Sequence, residues 1–187
     1  MGRRPTSRPH CDDYRAVTIA IGFIALRSLD APMTVERLER YGVEALGEDE
    51  IVSFLGAQRY GVLGLGTDDA PYLLPLTYGY GGGTDLYFTY LLGPESRKGR
   101  LSRSDAPASF IVFDVESPFV WTSVLLAGPV DRLEEDEWER HRDVLDDAWR
   151  PELFERAASE ETVEVYRFRA DERTGLRQTD LPPGFEG

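Results

Sequence analysis

Short runs of alternating apolar and polar residues dominate the chain after residue 59. Alternation with a period of two is typical of strands with one buried face. Three consecutive glycines, Gly81 to Gly83, indicate a hairpin between two of the runs, because glycine adopts positive φ without strain. The pattern predicts six strands, within Tyr60–Leu65, Tyr72–Tyr80, Asp85–Leu92, Ala108–Val115, Phe119–Leu133 and Thr162–Ala170.

Apolar positions spaced three and four residues apart predict a few helices. One helix begins near Gly47, a short helical turn covers Ser96–Ser104, and the longest helix covers Glu134–Trp149. Helices rarely separate the predicted strands, which argues against βαβ units and a parallel sheet. We therefore predict a mainly β fold of the α+β class, a six-stranded antiparallel split β-barrel with flanking helices.

The first 32 residues differ in composition from the rest. They carry five arginines and three aspartates, a net charge of +2, whereas the remainder has 16 basic and 31 acidic residues, a net charge of −15. The apolar run Ala16–Leu26 fits a signal peptide, but two aspartates precede it and no small-x-small cleavage site follows. We favour the alternative that residues 1–32 are a leader, disordered or not translated. The domain then covers 33–180, and 181–187 form an irregular tail.

The charge and the scarcity of metal-binding side chains exclude several classes of function. A net charge of −13 repels nucleic acid and anionic membranes. The single cysteine, Cys11, excludes an internal disulfide, and only His10 and His141 could contribute imidazole to a metal site, so we expect none. No apolar run reaches the roughly 20 residues of a membrane helix. We expect a cytoplasmic protein that acts on a small molecule.

The segment Ser96-Arg97-Lys98 is the most informative cluster, and Lys98 is the only lysine of the chain. A phosphate monoester is bound well by a guanidinium fork, a point charge and backbone N–H groups at a helix start. The alternative is a solvated surface turn whose charges bind nothing. The GxGxxG and GxxxxGK[ST] patterns are absent, so neither a Rossmann nor a P-loop site explains the cluster.

The order strand, Phe88-Thr89, loop and Ser96-Arg97-Lys98 resembles the flavin-binding segment of the pyridoxamine 5'-phosphate oxidase-like family, the FMN-binding split barrels. The similarity spans about Glu48 to Gly175. The strand Pro71–Tyr80 is similar to the Pro-x-x-x-Pro-Val strand of that family. The stretch Trp121–Val124, followed by Gly-Pro-Val, stands where the family has a polar residue that touches the flavin.

The resemblance implies FMN as cofactor and assigns a role to each matching position. Ser96, Arg97 and Lys98 would hold the FMN phosphate, and Phe88 and Thr89 would line the flavin. The resemblance also implies a homodimer whose interface contains the cofactor, but it assigns no catalytic side chain. The remaining implied contacts are Leu74, Pro75, Leu76 and Thr77, which would face the isoalloxazine largely through backbone groups, and Ser123, which would approach from the fifth strand.

Two departures from the family pattern bear on the reaction. Pyridoxamine phosphate oxidases have an Arg-x-Val-x-Leu-Lys strand, whereas Tyr72–Thr77 is uncharged. Their C-terminal Arg-Leu-x-Pro segment is absent from Arg177–Pro183. We therefore expect an FMN-dependent oxidoreductase that does not oxidise vitamin B6 phosphates. The alternatives are a deazaflavin-dependent reductase of the same fold and a non-catalytic flavin-binding or redox-sensing protein.

Residue usage favours a salt-loving source of the haloarchaeal type. Twenty of the 21 basic residues are arginine and the chain contains no asparagine, as in proteins from GC-rich genomes. The acidic excess adds a surface that stays hydrated at high salt. The alternative is a protein from a mesophile with an acidic surface.

We expect the melting temperature to rise as KCl increases from about 0.01 M to 1 M. A body of net charge −15 repels itself most when screening is weak, and the Debye length falls from about 30 Å to about 3 Å over this range. Thermal unfolding followed by circular dichroism measures the effect, and NaCl at equal ionic strength should reproduce it. A melting temperature that does not change with salt would contradict the halophile hypothesis.

Overall fold

The computed structural model describes residues 38–103, 105–147, 162–182 and 184. The leader at 1–32, the start of the domain at 33–37, Trp149 and most of the C-terminal tail lie outside these ranges. The predicted domain boundary therefore stays a prediction.

One antiparallel sheet organises the described chain. The order of its main strands is β3-β2-β6-β7-β8-β5-β4; β9 also pairs with β7, and β1 pairs with β9. The sheet curls strongly into a half-barrel, which confirms the predicted split-barrel class. The strands are β1 Val43–Ala45, β2 Tyr60–Leu65, β3 Tyr72–Thr77, β4 Gly79–Tyr80, β5 Asp85–Leu92, β6 Ala106–Ser117, β7 Val120–Arg132, β8 Thr162–Arg169 and β9 Glu172–Gln178.

The helices are short, and the predicted long helix is divided. Residues Glu134–Trp149 were expected to form one helix, but the described part of that stretch contains two α-helices with a 3₁₀ turn, Glu139–His141, between them. Among the described residues, no helix has the length and apolar character needed to cross a membrane. Within the described ranges, the α-helices with defined bounds are α1 Glu48–Ala57, α2 Arg97–Leu101, α3 Glu135–Trp138 and α4 Arg142–Asp147.

The sheet contains more strands than the six predicted, for two reasons. Tyr72–Tyr80 forms two strands, β3 and β4, because its two ends pair with different neighbours. β1 and β9 were not predicted, because β9 reads Glu-Arg-Thr-Gly-Leu-Arg-Gln and lacks apolar alternation. Backbone pairing with β7 holds β9 in place, and its arginines form ion pairs instead of packing. Arg173 pairs with Glu48, and Arg177 pairs with Glu44 and Glu50.

Aromatic rings fill the interior of the half-barrel. Phe88, Phe110 and Phe168 come from three different strands and are fully buried. The ring centroids of Phe88 and Phe110 are 5.0 Å apart, and those of Phe110 and Phe168 are 6.2 Å apart. Tyr78 packs edge-on against Phe110 and donates its hydroxyl proton to the Leu55 carbonyl of α1 at 2.8 Å. Helix α1 is thereby joined to the core.

Residues 72–80 connect the two ends of the sheet and create its split. The first part, β3, pairs with β2, whereas the last part, β4, pairs with β5 at Tyr87 and Leu86. β3 and β5 approach each other, but no ladder joins them among the described pairings. The sheet is therefore closed near Tyr78 and open towards Tyr72, and the open end faces the loop that leads to α2.

We expect Gly128→Ala to destabilise the protein by about 3 kcal/mol, as overpacking in a well-packed region does. A Cβ at Gly128 would overlap the carbonyl oxygen of Arg169, so the backbones of β7 and β8 could not approach as they do. Gly56→Ala is the matched control, because a Cβ there meets nothing within 4 Å and alanine favours the helix by up to about 1 kcal/mol. Urea unfolding measures the free energy of unfolding of both variants. Equal stability of the two variants would contradict the close approach of the β7 and β8 backbones.

Candidate functional site

Helix α2 begins at the open end of the split, and Ser96 is its N-cap. The Ser96 hydroxyl accepts a hydrogen bond from the Gly99 N–H at 3.5 Å, and the Ser96 N–H donates to the Gly93 carbonyl at 3.1 Å. The bond to Gly99 is long and therefore weak. Ser96 thus shapes the turn and keeps hydrogen-bonding capacity for a ligand.

Arg97 and Lys98 extend from α2 over aromatic rings of the two strands that border the split. The Arg97 guanidinium lies 4.8 Å from the centroid of the Tyr72 ring on β3. The Lys98 ammonium lies 5.2 Å from the centroid of the Tyr90 ring on β5. Cation–π contacts of this kind orient a charged group. The two cations named by the sequence therefore stand at the open end of the split.

The predicted residues on β3 border the split, and their side chains alternate in direction. Leu74 and Leu76 pack against the core, whereas Pro75 is exposed on the opposite face of the strand. Thr77 is half-buried next to Tyr78, where the split closes. β3 pairs with β2 on one side only, so its other edge presents backbone groups towards β5. A ligand in the split would meet this edge mainly through the backbone.

The predicted residues on β5 contribute differently from each other. The Phe88 ring is fully buried in the core, so only its backbone is at the edge of the split. Thr89 is half-buried and pairs with Val165 of β8. The pairing of β5 with β4 ends at Tyr87, and the edge of residues 88–92 that faces β3 carries no described ladder.

Ser123 is the one predicted site residue that the fold places away from the others. It lies on β7 between Phe113 and Leu176, and β6 and β2 separate it from β3. On the other side of β7, β8 lies between β7 and β5. The neighbouring Trp121 is buried and donates its Nε1–H to Gln178 Oε1 at 3.1 Å, so its role is packing.

A chain of polar aromatic contacts, not predicted from the sequence, lies beside α2. Tyr90 stacks on Tyr166 with ring centroids 4.3 Å apart, and its hydroxyl is 3.2 Å from Ser102 Oγ. Burial raises the pKa of Tyr90 to about 12. The Tyr166 hydroxyl donates to Glu164 Oε2 at 2.7 Å, and burial raises its pKa well above the ordinary value. Both phenols are therefore neutral hydrogen-bonding groups at neutral pH.

A cavity of about 480 Å³ opens between α2 and the strands β7 and β8. Arg100 and Arg103 line it from α2 and the residues after it, whereas Arg132 and Glu164 line it from the strands. Of the predicted cluster, Ser96 lines the cavity, whereas Arg97 and Lys98 do not. Arg100 and Arg103 follow the predicted cluster in sequence, but no sequence signal links them to Arg132 or Glu164. Only the pairing of β5, β7 and β8 brings these side chains together.

An antiparallel split barrel with cations at the open end of the split defines the structural class. Residues 47–177 match the family model described as pyridoxamine 5'-phosphate oxidase, and the chain belongs to this family. The fold also matches solved structures of low sequence identity. No curated protein sequence matches the chain.

Three solved structures illustrate the shared fold. A FAD-binding protein from Mesorhizobium loti is 24% identical with a TM-score of 0.59, and the match covers 74% of this chain and 98% of that one. The FAD and heme binding protein from Mycobacterium smegmatis is 17% identical with a TM-score of 0.59, covering 75% of each chain. A flavocytochrome from Azotobacter vinelandii is 14% identical with a TM-score of 0.57, covering 82% of this chain and 76% of that one.

Proposed function

We propose that the chain is an FMN-binding flavoprotein whose cofactor lies along the split between β3 and β5. This proposal rests on the position of Arg97 and Lys98 at the open end of that split, next to two strand edges without described partners. A flavin mononucleotide needs a dianion site at one end and hydrogen-bonding groups along a flat ring. The cations fit the first requirement, and the exposed backbone edges fit the second.

The residues of the split would bind and orient the flavin. Arg97 offers a planar fork and Lys98 a point charge to one phosphate, and the Ser96 hydroxyl adds a third contact. The apolar β3 residues Leu74 and Leu76 would shield one side of the ring from water. When bound, the flavin itself supplies hydride or electron transfer.

We propose that the reaction is an oxidoreduction that needs no acid or base from a protein side chain. Within the described residues, the split has no histidine: His141 stacks on Tyr87 at 4.6 Å on the face of β5 opposite to Phe88. FMN is favoured over FAD because the described cations beside the split suit one terminal phosphate. Mass analysis of the released ligand distinguishes a deazaflavin in the same groove, and an assay of flavin reduction distinguishes a flavin that is bound but not turned over.

We propose a homodimer in which the outer face of the sheet is the interface. Leu73, Phe113 and Val115 share that face and are 64%, 43% and 47% exposed. Apolar side chains grouped in this way favour association. Ser123 lies on the same face, next to Phe113. A second subunit seated there could bring its own Ser123 to the flavin, which one subunit alone does not.

We predict that Arg97→Gln and Lys98→Gln each weaken FMN binding ten- to a hundredfold, since a charge-assisted hydrogen bond contributes about 1.5–3 kcal/mol. The measurement is a titration of FMN fluorescence quenching, accompanied by absorbance and mass analysis of the ligand released from the purified wild type.

Arg140→Gln is the matched control for these two variants. Arg140 is exposed and lies far along the chain from α2; its Nε–H donates to the Asp136 carbonyl at 3.1 Å, and its guanidinium lies 4.0 Å from the Asp136 carboxylate. Wild-type FMN affinity in both the Arg97→Gln and the Lys98→Gln variant would refute the assigned phosphate site. Release of a deazaflavin instead of FMN would support the alternative cofactor.

We predict negligible conversion of pyridoxamine 5'-phosphate to pyridoxal 5'-phosphate, together with measurable reduction of bound FMN by a nicotinamide donor. The substrate phosphate would lie beside an uncharged strand, Leu73–Thr77, and a dianion desolvated without a partner costs several kcal/mol. Absorbance of product and of oxidised flavin measures the two reactions. Steady turnover of pyridoxamine 5'-phosphate would instead show that the protein oxidises vitamin B6 phosphates. Bound flavin that no donor reduces would favour a non-catalytic role.

A further inference from the structure

We propose that the cavity between α2 and strands β7 and β8 binds a small organic anion that carries a carboxylate or phosphate group. This site adjoins the cation pair Arg97 and Lys98 at the split; Ser96 lines it, but neither cation does. The inference does not depend on the proposed flavin binding.

The charge of the lining favours an anion. Among the described residues that line the cavity, Arg100, Arg103 and Arg132 are cationic and Glu164 is the one carboxylate. The protein as a whole carries a net charge of −13. An excess of two positive charges around one concave surface is therefore a local reversal of the overall field, and it attracts anions to this place.

The carboxylate of the cavity is already compensated. Glu164 Oε1 lies 3.5 Å from Arg132 Nε, and Glu164 Oε2 accepts the Tyr166 hydroxyl proton at 2.7 Å. Both oxygens thus have partners on the wall. The remaining guanidinium N–H groups of Arg132 stay available for a ligand, because one contact through Nε leaves the terminal nitrogens.

The other two arginines are held weakly. Arg100 donates to the Glu95 carbonyl at 2.8 Å, but its ion pair with the Glu95 carboxylate is 3.7 Å long and exposed. Exposed pairs of this kind contribute little and exchange readily. The Arg103 side chain makes no hydrogen bond or ion pair with the rest of the described chain. The guanidinium groups of Arg100 and Arg103 can therefore turn towards a ligand at a small cost in free energy.

The size and the apolar part of the cavity indicate an organic ligand. A volume of about 480 Å³ lies in the range of small-molecule sites. Leu92, Pro94 and the Tyr166 ring line it beside the polar groups. Guanidinium forks bind carboxylate and phosphate equally well in geometry, so these two headgroups are the candidates.

Direct binding of two probes tests the site. We would titrate the full-length protein with inorganic phosphate and, separately, with succinate by isothermal calorimetry, at constant ionic strength set with KCl. We expect at least one probe to bind the wild type with a dissociation constant near or below about 1 mM. Arg103→Gln and Arg132→Gln should each weaken that binding about tenfold, as loss of one charged hydrogen bond does.

Three further variants make the result specific. Arg132→Lys keeps the charge that compensates Glu164 but removes the fork, so binding that is weakened there without loss of folding excludes a mere folding defect. Arg140→Gln should bind like the wild type. The double variant Arg97→Gln/Lys98→Gln should also keep the anion affinity, because neither residue lines the cavity.

The outcomes separate the two headgroups and the two sites. Binding of phosphate alone assigns a phosphorylated ligand, and binding of succinate alone assigns a carboxylate ligand. The proposal is wrong if neither probe binds, or if Arg103→Gln and Arg132→Gln bind like the wild type. It is also wrong if the double variant at the split abolishes binding, because the anion would then occupy the proposed flavin phosphate site.

Discussion

The fold depends on one extended segment, residues 72–80, that belongs to both ends of the sheet. Its first part hydrogen-bonds to β2, and its last part to β5. A strand cannot follow two partners that diverge, so the barrel closes near Tyr78 and stays open towards Tyr72. The hydrogen bond from Tyr78 to Leu55, and the packing of Tyr78 on Phe110, hold this closing point against α1 and the core.

The open end of the split determines where charged chemistry can take place. Helix α2 follows β5 after a four-residue loop, so its cations stand over the gap that the diverging strands leave. Arg97 and Lys98 rest on Tyr72 and Tyr90, one ring from each border of the gap. Aromatic faces hold cations in a defined direction. The same helix turn presents Arg100 to the cavity beside β7 and β8.

Positive charge is concentrated at this end of a strongly acidic protein. Several arginines elsewhere are paired with carboxylates, as Arg177 is with Glu44 and Glu50. The Gly47 N–H and, after it, Arg177 lower the pKa of Glu50. Around α2, Arg103 has no such partner within the described residues, and the pair between Arg100 and Glu95 is exposed. The distribution of pairs, more than the net charge, therefore marks where an anion can bind.

The sequence by itself determined the β class, the bounds of β2 and β5, and the Ser96-Arg97-Lys98 cluster, because alternation and residue type are local properties. It could not reveal β9, whose place depends on backbone pairing with β7, nor the break of the long helix after Trp138. Only the tertiary structure put Phe88 in the core, Ser123 on a strand that does not border the split, and Arg132 and Glu164 beside α2. Those placements follow from which strands pair, and pairing joins residues that are distant in the chain.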